Sequence, residues 1–150
     1  MDGDNLRYLE LERIRKKHGG VLRPADVVKA AKAQTSPLHK YFTWDDTEAA
    51  HKQRLHEARA LIRATVTVIP QHHEPIRAYS SLVPDRAEGD SYRATVDILN
   101  DEQRREILLN QALTEAKSWQ RRYQSLADLQ RVFDAITEVV ESRSAIAAMT

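Results

Sequence analysis

The sequence predicts an α+β fold, mainly helical. It comprises an N-terminal three-helix, helix-turn-helix-like module, a three-stranded antiparallel sheet and a C-terminal antiparallel helical hairpin. Three observations carry this reading. Apolar residues recur at steps of three and four over most of the chain, as on amphipathic helices. Between residues 65 and 98 the period changes to two and β-branched residues cluster, which suits strands. Only four glycines and five prolines occur in 150 residues, so regular elements are favoured over long loops.

The first helix is expected over 5–17, where Glu10 and Glu12 precede Arg13, Arg15, Lys16 and Lys17. Acids early and bases late complement the helix macrodipole. Gly19 and Gly20 supply a stop, because glycine takes the left-handed cap conformation at little cost. A second helix over 24–34 starts with Pro24 at its first position and turns Val27, Val28 and Ala31 inward. Thr35-Ser36-Pro37 ends it, since the residue before proline is pushed out of the α region. Leu38, Phe42 and Trp44 anchor an aromatic connector. A third helix over 44–63 follows, with Thr43 as N-cap and Asp46 in a capping-box position. Ala50, Leu55, Ala58, Leu61 and Ile62 give it one apolar face.

Strands are expected at 65–69, 76–83 and 92–98, joined by short connections as an antiparallel meander. Asn100 reads as the N-cap of a fourth long helix bearing Leu109, Ala112, Leu113, Ala116, Trp119 and Tyr123. Ser125 and Asp128 form an S-x-x-D box that opens the last helix, whose apolar residues run from Leu126 to Val140. The residues from Ser142 onward read as a frayed tail. The division expected is 1–63, a DNA-binding module, and 64–150, a packing or dimerisation unit.

Composition narrows the function classes. With 41% hydrophobic and 30% charged residues the chain is globular in character. No cysteine is present, which excludes disulfides, thiolate metal sites and a cysteine nucleophile. The charged N-terminus is no secretory h-region and no apolar run has the length of a membrane span, so no membrane partner and a cytoplasmic location are expected. The net charge of +1 hides an asymmetry. Residues 1–63 carry 13 Lys/Arg against 9 Asp/Glu, a net of +4, whereas 64–150 carry 10 against 13, a net of −3. An excess of positive charge favours a polyanion.

Catalytic and metal patterns are weak. His51 and His56 are five apart, on different helix faces, and the adjacent His72 and His73 sit in a turn. Asp45 and Asp46 are placed as helix-start acids or as an acid/base pair. No nucleophile elbow, P-loop or dinucleotide fingerprint occurs. The expectation is therefore non-enzymatic, with no cofactor and no metal. The candidate nucleic-acid contacts are Arg15, Lys16, Lys17, Arg23, Lys29, Lys32, Lys40, Lys52 and Arg54. Arg13–His18 reads first as a solvated, dipole-matched helix end and second as a phosphate-contacting cluster. The stripe of Leu129, Phe133, Ile136 and Val140 reads as packing or as a self-association seam, so a homo-oligomer is expected.

The run from Gly20 to Arg63 resembles a stretch of small phage- and prophage-encoded proteins. The likeness is carried by Val27-Val28, Ala31, Pro37-Leu38-His39, Phe42, Trp44-Asp45-Asp46, Ala49-Ala50, Arg54-Leu55 and Ala58-Arg59. The later SYRATVDIL and WQRRY segments are similar as well. The resemblance implies a phage-type role in DNA binding, regulation or particle assembly and carries over no catalytic residue. Taken together, these points describe a phage-type protein that contacts double-stranded DNA through its N-terminal module. The alternative is an oligomeric structural or assembly protein that uses its C-terminal helices.

Overall fold

The computed structural model describes residues 3–44, 47–70 and 73–149. Its helices are α1 (Gly3–Lys17), α2 (Pro24–Ala31), α3 (Glu48–Ala64), α4 (Thr95–Leu99), α5 (Glu102–Tyr123) and α6 (Gln130–Ala148). The strands are β1 (Val21–Leu22), β2 (Val66–Thr67), β3 (Ile76–Arg77), β4 (Tyr79–Ser80) and β5 (Tyr92–Ala94). The fold is α+β and mainly helical, as the periodicity predicts. Two compact units divide the chain, Met1–Arg104 and Arg105–Thr150.

In the first unit, Leu11 and Ile14 of α1, Val27, Val28 and Ala31 of α2, and Ala58, Leu61 and Ile62 of α3 share one core. Leu38 and Phe42 join it from the connector, with Trp44 packed against it. The Gly19-Gly20 stop is built as expected, with φ of +70° and +86°, a region where a Cβ is strained.

The sheet departs from a meander. β1 lies between α1 and α2 in sequence and pairs antiparallel with β5, which pairs in turn with β4; β2 and β3 form a separate hairpin. Residues 76–80 do not form one strand, because Ala78 breaks the run. Its N–H donates to the Thr65 carbonyl while its own carbonyl accepts from Thr95 N–H. Residues 95–99 are helical rather than the end of a strand 92–98. Since β1 contributes to the sheet, the helices and the strands belong to one unit, and the division falls after residue 104 rather than after 63.

Several boundaries also move. Helix α2 ends at Ala31, three residues early, and the stretch from Lys32 to Trp44, with a 3-10 turn over His39–Tyr41, is longer than the compact turn of a helix-turn-helix. The cap of α3 is Thr47, whose hydroxyl accepts from Ala50 N–H at 3.1 Å, not Thr43. Asp45, Asp46 and His72 lie outside the described residues. Asn100 closes α4; Asp101 Oδ1 accepts from Arg104 N–H at 2.9 Å and caps α5. A 3-10 turn over Ala127–Leu129 leads into α6, with no side-chain cap at either start, so the expected S-x-x-D box is not used. Helix α6 runs on through Ala148 and does not fray at Ser142.

In the second unit α5 and α6 form the expected antiparallel hairpin. Glu106 meets Arg143, Gln120 Nε2 donates to Thr137 at 3.4 Å, and Trp119 stands edge-on to Phe133 at 5.6 Å between centroids. Phe133 is the buried side chain of this pair of helices. No helix among the described residues is long and apolar enough to cross a membrane.

Candidate nucleic-acid interface

Helices α2 and α3 pack together through Val28, Ala31, Ala58 and Ile62, which leaves their polar edges facing across a cleft. Lys29 of α2 and Lys32, the C-cap of that helix, stand one turn apart; His51 and Arg54 stand one turn apart on α3. Together with Ala25, Val28, Gln34, His39 and Trp44 they line about 590 Å³. Among these described lining residues none is acidic. Three permanent cations and two imidazoles therefore converge, and low-dielectric walls focus the field of such a cluster.

The aromatic wall is held from several sides. His39 and Trp44 stack at 4.8 Å between centroids and 11° between planes. Trp44 Nε1 donates to the His39 carbonyl at 3.0 Å. His39 Nδ1 lies 2.9 Å from the Ala31 carbonyl. A carbonyl only accepts, so Nδ1 carries the proton in the neutral ring and Nε2 keeps its lone pair. The Arg54 guanidinium lies 5.4 Å over the Trp44 ring and its Nη1 donates to the Thr43 carbonyl at 3.2 Å. Glu57 accepts from Thr43 N–H at 3.0 Å and from its hydroxyl at 2.9 Å, fixing the end of the connector on α3. Burial pushes the Glu57 carboxyl up, but the Thr43 and Gln53 hydrogen bonds and Arg54 outweigh it and hold it below its ordinary value.

The nine expected contacts do not form one surface. Lys29, Lys32 and Arg54 share the cleft, and exposed Lys52 follows His51 on α3. Lys40 is exposed, lies 5.3 Å over the Tyr41 ring and lines a smaller recess with Gly3, Leu6 and Ser36. Lys16 and Lys17 are exposed in the last turn of α1 and do not line the cleft. Arg23 lies 4.0 Å from Asp26, which also sits 3.6 Å from His18.

Arg15 is a structural residue rather than a phosphate contact. It binds both carboxylate oxygens of Glu12 at 2.8 Å and reaches Asp97 at 3.1 Å, tying α1 to α4. Its side chain is 11% exposed. Tyr79 donates to the same Glu12 at 2.9 Å.

The sequence alone assigns no nucleic-acid role to His39, Trp44 or His51. The signal that finds the cleft is the pair of three-residue steps, Lys29/Lys32 and His51/Arg54, on two helices whose apolar faces require them to pack. Among the described residues no group of three or more metal-ligating side chains occurs. In the stripe of Leu129, Phe133, Ile136 and Val140, expected as packing or as a self-association seam, Phe133 is 2% exposed and the other three are half-buried. No protein-family model, no curated protein and no solved structure matches this chain.

Proposed function

We propose that this protein is a non-enzymatic binder of double-stranded DNA, and that the α2/α3 cleft is where it holds the phosphate backbone. The observation that carries the reading is the convergence of Lys29, Lys32 and Arg54 on one cleft with no acid among its described lining residues. Phosphate oxygens are the commonest protein contacts on DNA, and Lys, Arg and protonated His supply them. Exposed Lys52 follows the cleft residue His51 on α3 and adds a further cation to that helix. The resemblance of residues 20–63 to phage-encoded proteins accords with a DNA-directed role.

The test is fluorescence anisotropy of a labelled random-sequence duplex titrated with the full chain over a series of salt concentrations. Binding is expected to weaken steeply with salt through counterion release. Lys29→Glu with Lys32→Glu should lower the affinity and reduce the salt slope by about 2, one for each lysine taken from the phosphates. Both substitutions are on exposed side chains, so circular dichroism should stay unchanged. Absence of binding at low salt, or an unchanged slope in the double variant, overturns the proposal.

A further inference from the structure

Helix α6 carries two apolar stripes, and one of them is sheltered at Phe133 and Val140. The inner stripe, Phe133, Val140 and Ala147, faces α5. Phe133 meets Trp119, and Val140 and Ala147 line the groove of about 480 Å³ that also contains Leu113 and Lys117 of α5. The outer stripe is Val132, Val139 and Ile146, which are 47%, 46% and 62% exposed. Each outer residue precedes an inner one by a single position, a rotation of about 100° around the helix. On α5, exposed Ala112 and half-buried Ala116 directly precede Leu113 and Lys117, which line the same groove. In an antiparallel pair, the same rotation away from each inner face opens on the same side. Val132, Val139 and Ile146 therefore share one side of the hairpin with Ala112 and Ala116, with Tyr123 and Leu126 at its closed end, 37% and 49% exposed.

We propose that a second copy of this chain covers that side, so that two hairpins form an antiparallel four-helix bundle about a two-fold axis. A helix in such a bundle contacts two neighbours at roughly a right angle around its axis, which is the separation of the two stripes of α6. Phe133 is the buried side chain of α5 and α6, too small a core for an independent unit of this length. The register follows from the sequence. Ala116 and Ala135 lie at one level of the hairpin, given the contacts Trp119–Phe133 and Gln120–Thr137. An axis at that level sets small side chains at both helix crossings. It places Val132 against the partner's Val139, Ile146 against the partner's Leu126, and exposed Arg131 against the partner's exposed Glu138. Each contact occurs twice, as an isologous interface requires. The proposal is independent of what the α2/α3 cleft binds.

Sedimentation equilibrium on the full chain is expected to give twice the 17.2 kDa of one copy at micromolar concentration. Val132→Glu with Val139→Glu should yield a monomer of unchanged helix content. Arg131→Glu should weaken the dimer, and adding Glu138→Arg should restore it. The chain has no cysteine, so Ala135→Cys supplies a clean cross-linking probe. Mild oxidation should link two copies through residue 135, whereas Ile146→Cys, away from the axis, should not link. A wild-type monomer, a folded dimeric Val132/Val139 variant, or cross-linking at 146 in place of 135 overturns the proposal. If the glutamate variant unfolds, the cross-linking pattern in the otherwise unaltered chain decides.

Discussion

Glu57 holds Thr43 by both its backbone N–H and its hydroxyl, at 3.0 and 2.9 Å. A helix side chain here caps the connector that precedes its own helix, and Trp44 is the next residue. Glu57→Ala is expected to cost about 1 kcal/mol, at the low end for a hydrogen-bonded charge because the pair is exposed. Urea unfolding measures this. Since the Glu57 carboxyl is held below its ordinary 4.5, its contribution is present above that pH and is lost as the pH falls through the lowered value. Thr43→Val should cost about the same.

The pair Glu12 and Tyr79 bounds stability on both sides of neutrality. Burial raises the Glu12 carboxyl, but hydrogen bonds from Arg15 and Tyr79 win and hold it below 4.5. Burial first, and the Glu12 charge second, push the Tyr79 hydroxyl well above its ordinary 10.0. The signs are opposite in effect. The Glu12 contribution is present above 4.5 and is lost as the pH falls. The Tyr79 contribution is complete below 10.0 and is lost as the pH rises above it. Tyr79→Phe should cost about 1 kcal/mol at neutral pH and flatten the alkaline limb. Glu12→Gln should flatten the acid limb, because Arg15 then loses its bidentate partner. Thermal unfolding across the pH range checks both.

These two networks explain where the sequence is legible. The helices and their inward faces follow from period alone, because Val27, Val28 and Ala31 bury against α3 wherever α3 lies. The glycine stop follows from backbone sterics. Pairings set by distant residues are not legible. Val21-Leu22 is too short to read as a strand, and its partner Tyr92-Arg93 is far along the chain. The alternation of 92–98 looks like one strand, yet Thr95 turns from the sheet, its hydroxyl 2.8 Å from that of Ser80 and its N–H on the Ala78 carbonyl. Thr43 and Thr47 offer equal local capping chemistry. The contact with Glu57 takes Thr43 out of that role. Arg15 resembles its lysine neighbours in sequence and differs from them in its contacts, with Glu12 on its own helix and with the tertiary partner Asp97.

Asp85 and Arg93 form a two-point pair, Nε to Oδ2 at 2.7 Å and Nη2 to Oδ1 at 3.0 Å. The pair ties the 3-10 segment Val83–Glu88 to β5, and the Arg93 hydrogen bonds hold the Asp85 carboxyl below its ordinary 3.8. Both side chains are largely sheltered, Arg93 24% and Asp85 17% exposed, so the pair exceeds an ordinary surface bridge. Asp85→Ala should cost about 1–2 kcal/mol. Amide exchange should accelerate in residues 83–91 and stay slow in α2 and α3.

Trp44 is the natural reporter of the cleft. It stacks on His39, lies under Arg54 and donates its indole N–H to the His39 carbonyl. The second tryptophan, Trp119, sits in the hairpin, so Trp119→Phe leaves Trp44 as the sole indole. In that background, duplex DNA should shift or quench the emission as phosphates draw on Arg54 and the α2 lysines. Lys29→Glu with Lys32→Glu should abolish the response at the same protein and DNA concentrations. Trp44→Phe keeps an aromatic ring but loses the hydrogen bond, at a cost of about 1 kcal/mol in stability. Trp44→Ala also loses the stack, about 0.5–1.5 kcal/mol more. If the aromatic wall positions Arg54 for phosphate, affinity should fall in the order wild type, Phe, Ala, with the salt slope lowered only when Arg54 is released. An affinity indifferent to both substitutions in a folded chain would remove Trp44 from the interface.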